Sequence, residues 1–430
     1  MKLVPKAKMI LLAGALLMAG PAAAVSLSDN GSGQALIYPY YTVNAGQQSE
    51  LSLVNRSDAA KAVKLVVREG VYGHAVFALD VYLAPHDTWT ATLFKHGQAP
   101  ALLSADAGCT VPDLHGASLP ALPDGRHYLQ PNTGELTGGQ EAPTEGYAVA
   151  IEMGEMNGDS AKALKPDNPQ DPDDDSPGHC EQLVSAWQQG GYWRDDASTD
   201  IAAPGGALSG DMQLIDVPHG KLFKVKATAL KDFRVASMHT APDSTLPDLG
   251  SALSDASTGV ASAQVQVGDQ MIRSDYPADR AVDAVSAVLM AEDLDSRFDF
   301  RRSIDAHTDF VFTMPTKRFY VSGTGNILPP FGRDEYHQRS PRGTLCPVVG
   351  PRAWNRDGGR VNIELLAFIE PRMERFTTKP CYASSVLALT RGGKTVLDSQ
   401  LVPLEPSGDA SAPVKPLTDA NAQAGHVAIG

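Results

Sequence analysis

Apolar and polar positions alternate in short bursts through the first hundred residues. Residues 35–43 (ALIYPYYTV) are β-branched and aromatic, with Pro39 inside them, which marks an edge strand or a bent one. Residues 51–55 run into the turn Arg56-Ser57-Asp58, and Val63, Leu65 and Val67 then alternate with Lys64, Val66 and Arg68. That period of two predicts a half-buried strand. Residues 75–83 (AVFALDVYL) end at Ala84-Pro85-His86-Asp87, and 88–94 (TWTATLF) form the next apolar burst. Strands recurring this closely, with turn residues between them, predict an antiparallel β-sandwich of immunoglobulin-like type.

The pattern dissolves into Pro, Gly, Ala and Asp over residues 95–144, which predicts a long loop, and resumes as a strand at 146–153 (GYAVAIEM). Residues 165–177 (KPDNPQDPDDDSP) are too rich in proline and acid for helix or sheet. Leu183, Ala186 and Trp187 have helical spacing, and 212–217 with 222–229 predict a strand pair around Pro218-His219-Gly220. The small, polar stretch 241–280 predicts a linker, and 281–291 (AVDAVSAVLMA) a helix. Beyond it, 309–314, 318–321 and 361–369 are strand-like, and 384–390 with 395–401 predict a hairpin around Arg391-Gly392-Gly393-Lys394. The chain thus divides into a β-sandwich domain over 25–240, the linker, a second β-rich domain over 281–405 and a loose tail over 406–430, with a few short helices.

Residues 1–24 read as a secretory signal peptide. Lys2, Lys6 and Lys8 precede the apolar run MILLAGALLM; Pro21 then breaks it, and Ala22-Ala23-Ala24 supply the small residues of a cleavage site. The run is about half of the ~20 residues that a membrane span requires, so no transmembrane segment is expected in the mature chain. The full chain of 430 residues carries 36 Lys and Arg against 50 Asp and Glu, a net charge of −14. Cleavage after Ala24 removes three lysines and no acid, leaving 33 against 50 and a charge of −17. Such a balance argues against nucleic acid as a partner, because phosphate tracking requires clustered Lys and Arg. The expected address is the periplasm, the cell surface or the medium.

Export changes how the four cysteines are read. In an oxidising compartment Cys109, Cys180, Cys346 and Cys381 are expected to pair, and Cys109–Cys180 with Cys346–Cys381 is the favoured connectivity because each bridge then staples one local region. No CxxC or Cys/His cluster suggests a metal or a redox motif.

Several blocks resemble a group of uncharacterised exported "cell surface" proteins of Gram-negative bacteria: ALIYPYYTV at 35–43, LDVYLAPHDTWT at 79–90, GYAVAIEMGE at 146–155, ATALKDF at 227–233 and TDFVFTMPTKRFYV at 308–321. In that group a Trp usually stands at the place of Phe310. The resemblance implies export, a β-rich fold and a role in the cell envelope. It brings no activity and no functional residues.

Catalytic signatures are scarce. Gly393-Lys394-Thr395 imitates the end of a P-loop, but Ala388 occupies the position of its first glycine. Neither HExxH nor GxSxG occurs. His86, His115, His127, His219 and His337 sit near turn residues and are expected at the surface. Asp171, Asp173 and Asp175 have the spacing that opens an EF-hand loop, so calcium is the one candidate cofactor; Ser176 and Gln182 replace the glycine and the closing acid of that motif. Glu152 with Glu155, and Asp293, Asp295 and Asp299, are possible acid–base pairs, and Trp89, Trp187, Trp193 and Trp354 could line a sugar site. The expected function is that of a non-enzymatic envelope or surface protein with a structural or adhesive role, its partner another envelope protein or a surface glycan. The alternative is a periplasmic or secreted hydrolase of glycans or peptides. A third expectation is that the strand at 35–43 pairs with a partner by β-augmentation.

Overall fold

The computed structural model describes residues 23–132, 143–165, 178–291, 294–299, 301, 306–321, 337–339, 345–347, 351–357, 360–361, 382–388, 395–401 and 424–429. The protein is mainly β, with several antiparallel sheets and few short helices. Thirteen strands build its two large sheets. The first seven are β1 (Ser26–Leu27), β2 (Ala35–Thr42), β3 (Gln47–Asn55), β4 (Ala60–Glu69), β5 (Ala75–Leu83), β6 (Thr88–His96) and β7 (Ala99–Leu103). They are followed by β8 (Cys109–Val111), β9 (Glu145–Met156), β10 (Ile201–Ala202), β11 (Leu208–Asp216), β12 (Lys221–Lys226) and β13 (Thr228–Lys231). One sheet has eight strands in the order β1-β13-β2-β9-β4-β5-β8, with β10 beside β9. The other has five, in the order β12-β11-β3-β6-β7.

The two sheets share one apolar core. Leu36, Tyr38, Val63, Leu65, Val67 and Leu79 of the larger sheet meet Leu51, Leu53, Trp89, Leu93, Met212 and Leu214 of the smaller. The smaller sheet keeps the expected alternation, and β3 buries every second residue. In the larger sheet the alternation fails, for β4 buries all ten of its residues. The second face of that sheet is covered as well. A hairpin, β14 (Ala261–Val267) with β15 (Gln270–Tyr276), and a helix, Ala281–Leu289, pack over Ile37, Val149 and Ile151. Short helices, α1 (Gly158–Lys162), α2 (Cys180–Ala186) and α3 (Tyr192–Asp195), lie over Ala62, Tyr82 and Met153; the helix after the hairpin is α4. The reading of residues 63–68 as half-buried is therefore corrected: Lys64 and Arg68 face a covered layer, not water.

Other expectations move too. Pro39 falls where the register of β2 against β9 shifts, so the strand is bent, but it is central, held between β13 and β9. Its edge towards β9 is paired over Ala35–Thr42 and its other edge is paired with β13 over Ala35–Ile37, so it is not the free edge strand that pairing with a partner requires. The stretch 95–144, read as loop, holds β7, which forms a tight hairpin with β6, and β8, which pairs with β5. Ser384–Ala388 pairs with Asp309–Thr313 and brings Val386 into the sandwich core; the Val386 N–H also donates to the Leu401 carbonyl at 2.9 Å, while the expected turn at 391–394 lies outside the described residues. The stretch read as a linker contains β14 and β15. Of residues 361–369, only the first lies among those described, in Arg360–Val361. Eight and five strands also exceed the roughly seven to nine of immunoglobulin domains.

Candidate functional site

Among the described residues titratable groups gather in several places, of which two largely buried clusters and one open one bear most on chemistry. The first lies between the sheets. Lys61 of β4 is fully buried, and its Nζ donates to Glu152 Oε1 at 2.8 Å and to Glu155 Oε1 at 2.7 Å, both on β9. The backbone N–H groups of Gly205 and Gly206 complete the Glu152 carboxylate at 2.9 and 2.7 Å. Burial pushes the Glu152 carboxyl up, and the Lys61 ammonium opposes that shift. The loop can approach so closely because Gly205 lacks a Cβ, which would stand 2.1 Å from Glu155 Oε1.

The second cluster lies on the covered face. Lys64 and Asp80 are register partners on β4 and β5, with Nζ 2.5 Å from Oδ1 and neither side chain exposed. Lys64 also donates to the Ala241 carbonyl at 2.8 Å, which ties the chain after β13 onto the sheet. Burial lowers the Lys64 ammonium and raises Asp80 to about 6, Lys64 working against the latter. Beside this pair stands an aromatic box. Tyr82 stacks on Trp193 with ring centres 5.2 Å apart, and His239 lies 4.6 Å from Trp193 and 4.9 Å from Trp187. Nδ1 of His239 faces the Ala197 carbonyl at 2.8 Å, so the proton belongs there and Nε2 accepts from the Tyr82 hydroxyl at 3.1 Å. That hydroxyl in turn accepts from Trp187 Nε1 at 2.9 Å. Burial brings His239 down to about 4, leaving it neutral at pH 7. The box is clamped from outside: Cys109, the register partner of Tyr82, is disulfide-bonded to Cys180 at the start of α2, with Cα atoms 5.2 Å apart.

The third place is open. A shallow groove of about 500 Å³ runs along the base of the β14–β15 hairpin, with Ser254, Asp255, Ser262, Arg273 and Asp275 in its wall. Ser262 Oγ donates to Asp275 at 2.6 Å and accepts from Arg273 Nη2 at 2.7 Å. Hydrogen bonds from Ser257 hold Asp255 down to about 2, and the Ser262 hydroxyl lowers Asp275. Both carboxylates are charged at neutral pH. They can face a cation or accept hydrogen bonds, but their shifts run the wrong way for a general acid.

The residues singled out in the sequence are dispersed. Cys109–Cys180 forms as expected. Cys346 lies in the short strand Leu345–Pro347, while Cys381 and the calcium candidates Asp171, Asp173 and Asp175 lie outside the described residues. Among the described residues no three His, Cys, Asp or Glu side chains are grouped to hold a metal. Glu152 and Glu155 meet, but on one lysine inside the core. Asp299 is held by Arg301, Asp295 lies on the same strand, Leu294–Asp299, and Asp293 is not described. Trp187 and Trp193 come together with each other, not with Trp89, which is buried between the sheets. Of the expected surface histidines, His86 pairs with Asp58 and His219 with Asp216 in exposed turns. His239 was missed; nothing local separates it from the turn histidines, because its burial comes from α2 and α3. No family model, curated protein or solved structure matches the chain.

Proposed function

We propose that this is an exported, non-enzymatic protein of the cell envelope or surface, acting through its surfaces in a structural or adhesive role. One observation carries the reading. Charged and aromatic groups able to support chemistry are consumed inside the fold, whereas exposed apolar side chains gather on secondary structure that ends without a neighbour. β12 closes the order of the smaller sheet, and its outer side has no strand beside it among the described residues. It exposes Leu222 by 57% and Phe223 by 37%, flanked by Lys221, Lys224 and Lys226. A free edge of this kind suits β-augmentation by an envelope protein, while its lysines disfavour pairing with a second copy of itself. The tip of the β14–β15 hairpin adds Val267, Met271 and Ile272.

A hydrolase would need an acid or a nucleophile in a concave site. Of the carboxyls raised by burial, Asp80, Glu145 and Glu152 are sealed, Asp87 and Asp309 are half-buried and outside the groove wall, and the two acids in the open groove are lowered. The secretory signature of residues 1–24 supports export, and among the described residues no helix is long and apolar enough to cross a membrane. Protease shaving of intact cells, with fractionation, tests the proposal. Cleavage of the protein on intact cells is the expected result. Complete protection in a periplasmic fraction overturns the adhesive role.

A further inference from the structure

The expected cleavage site is built into the fold. Val25 is fully buried and Ala24 is 3% exposed. The Val25 N–H donates to the Ser262 carbonyl at 2.7 Å, and its own carbonyl accepts from the Gln264 N–H at 2.8 Å, a parallel bridge onto β14. One residue on, Ser26 and Leu27 pair with Lys231 and Leu230 of β13. Residues 25–27 therefore stitch the edge of the eight-stranded sheet to the hairpin layer. The atom that hydrolysis would turn into an amino terminus, Val25 N, is bonded to the carbonyl of Ser262, a residue of the open groove's wall. There Arg273 Nη2 reaches the Ala23 carbonyl at 3.2 Å and the Ser262 hydroxyl at 2.7 Å, and Ser262 donates to Asp275.

We propose that the Ala24–Val25 bond is the processing site of the exported chain, and that the α-ammonium left on Val25 is a permanent part of the fold, seated by the Ser262 carbonyl and the Asp275 carboxylate. The inference rests on the export reading above. A leader peptidase adds water across the bond. The new carboxylate leaves with Ala24, and the amine takes up a proton on Val25. Cleavage precedes docking, because in the fold the scissile nitrogen is hydrogen-bonded and both flanking residues are buried. Loss of Ala23 and Ala24 releases Arg273 from the Ala23 carbonyl and opens the amine to the groove. The charge fits. Asp255, Asp275 and Arg273 give the groove wall a net charge of −1, which one ammonium neutralises.

Two measurements test this. The first is the intact mass and amino-terminal sequence of the protein purified from an exporting cell; a chain starting at Val25 is expected. A start elsewhere overturns the inference and leaves export intact, whereas an uncleaved, unexported chain overturns the export reading itself. The second uses leaderless protein starting at Val25, with its amine free or acetylated. Acetylation and Asp275→Asn are each expected to lower Tm by about 2 °C, the scale of one partly exposed charge pair in a chain of this size. In the acetylated protein Asp275→Asn should have no further effect. Equal losses from Asp275→Asn with and without acetylation overturn the proposed seat, whatever the start of the exported chain.

Discussion

Lys61 shows what a residue can and cannot announce. Its ammonium is buried between two sheets, where desolvation costs several kcal/mol unless the charge is fully paired. Glu152, Glu155 and the turn at Gly205 and Gly206 supply that pairing. Glu152→Gln leaves the lysine with one partner, itself partly exposed, and is expected to destabilise the protein by about 3 to 5 kcal/mol in urea titration. Lys61→Met combined with Glu152→Gln should cost less than the sum of the two single changes, since neither charge is then stranded. Additive losses would mean that the groups act independently. Gly205→Ala tests the same site through its backbone. The new Cβ collides with Glu155, whose side chain is one-third exposed and can swing out, so a smaller loss of about 1 to 2 kcal/mol is expected. In the sequence, Lys64 looks like a solvated position of a strand. Which face of a sheet is covered depends on elements far along the chain, α1 to α4 and the segment around Ala241, and no local period reveals it.

Elements were legible where their partners are close in sequence. β4 and β5 share a short connection, and β11 and β12 flank Pro218-His219-Gly220; the alternation found each pair. The helical spacing of Leu183 and Ala186 likewise marks α2, which buries both residues. β7 and β8 stayed hidden because three to five residues carry too little period; β7 was missed although its partner β6 is next in sequence, and β8 pairs back to β5. The pairing of Ser384–Ala388 with Asp309–Thr313 was not legible either, since a turn-like sequence says nothing of which distant strand lies alongside. The disulfide acts at this scale, joining β8 at the sheet edge to α2 across 71 residues. Cys109→Ser with Cys180→Ser is expected to cost about 2 to 5 kcal/mol and to loosen α2 and α3 before the sheets. Hydrogen exchange should show the loss of protection first in residues 180–195. Simultaneous loss across β4 and β9 would mean that the cap and the sheets unfold as one unit.

For the whole molecule, the buried titratable groups set how stability depends on pH, and their signs differ. Asp80 and Asp309 are raised by burial to about 6. The folded state then holds their protons more tightly than the unfolded chain, so the stability they contribute is full in acid and is lost as pH climbs from near 4 through 6. His239, lowered to about 4, works oppositely across nearly the same interval and offsets part of that loss. Above pH 7 the balance is simpler. Burial lowers Lys317 to about 7, and Lys64 is lowered as well. The unfolded chain binds those protons more tightly, so stability rises with pH from 7 towards 10. It stops rising where tyrosines ionise in the unfolded chain, because Tyr38, Tyr40, Tyr41 and Tyr82 are raised by burial and hold their protons in the fold. Urea titrations from pH 6 to 10 should therefore show increasing stability, by about 1 kcal/mol or more for each pH unit over which one such lysine differs between the two states. Lys317→Met removes that residue's charge from both states and is expected to flatten the rise while stabilising the protein at pH 7. An unchanged slope in the variant would assign the dependence to Lys64 and the surface charges instead.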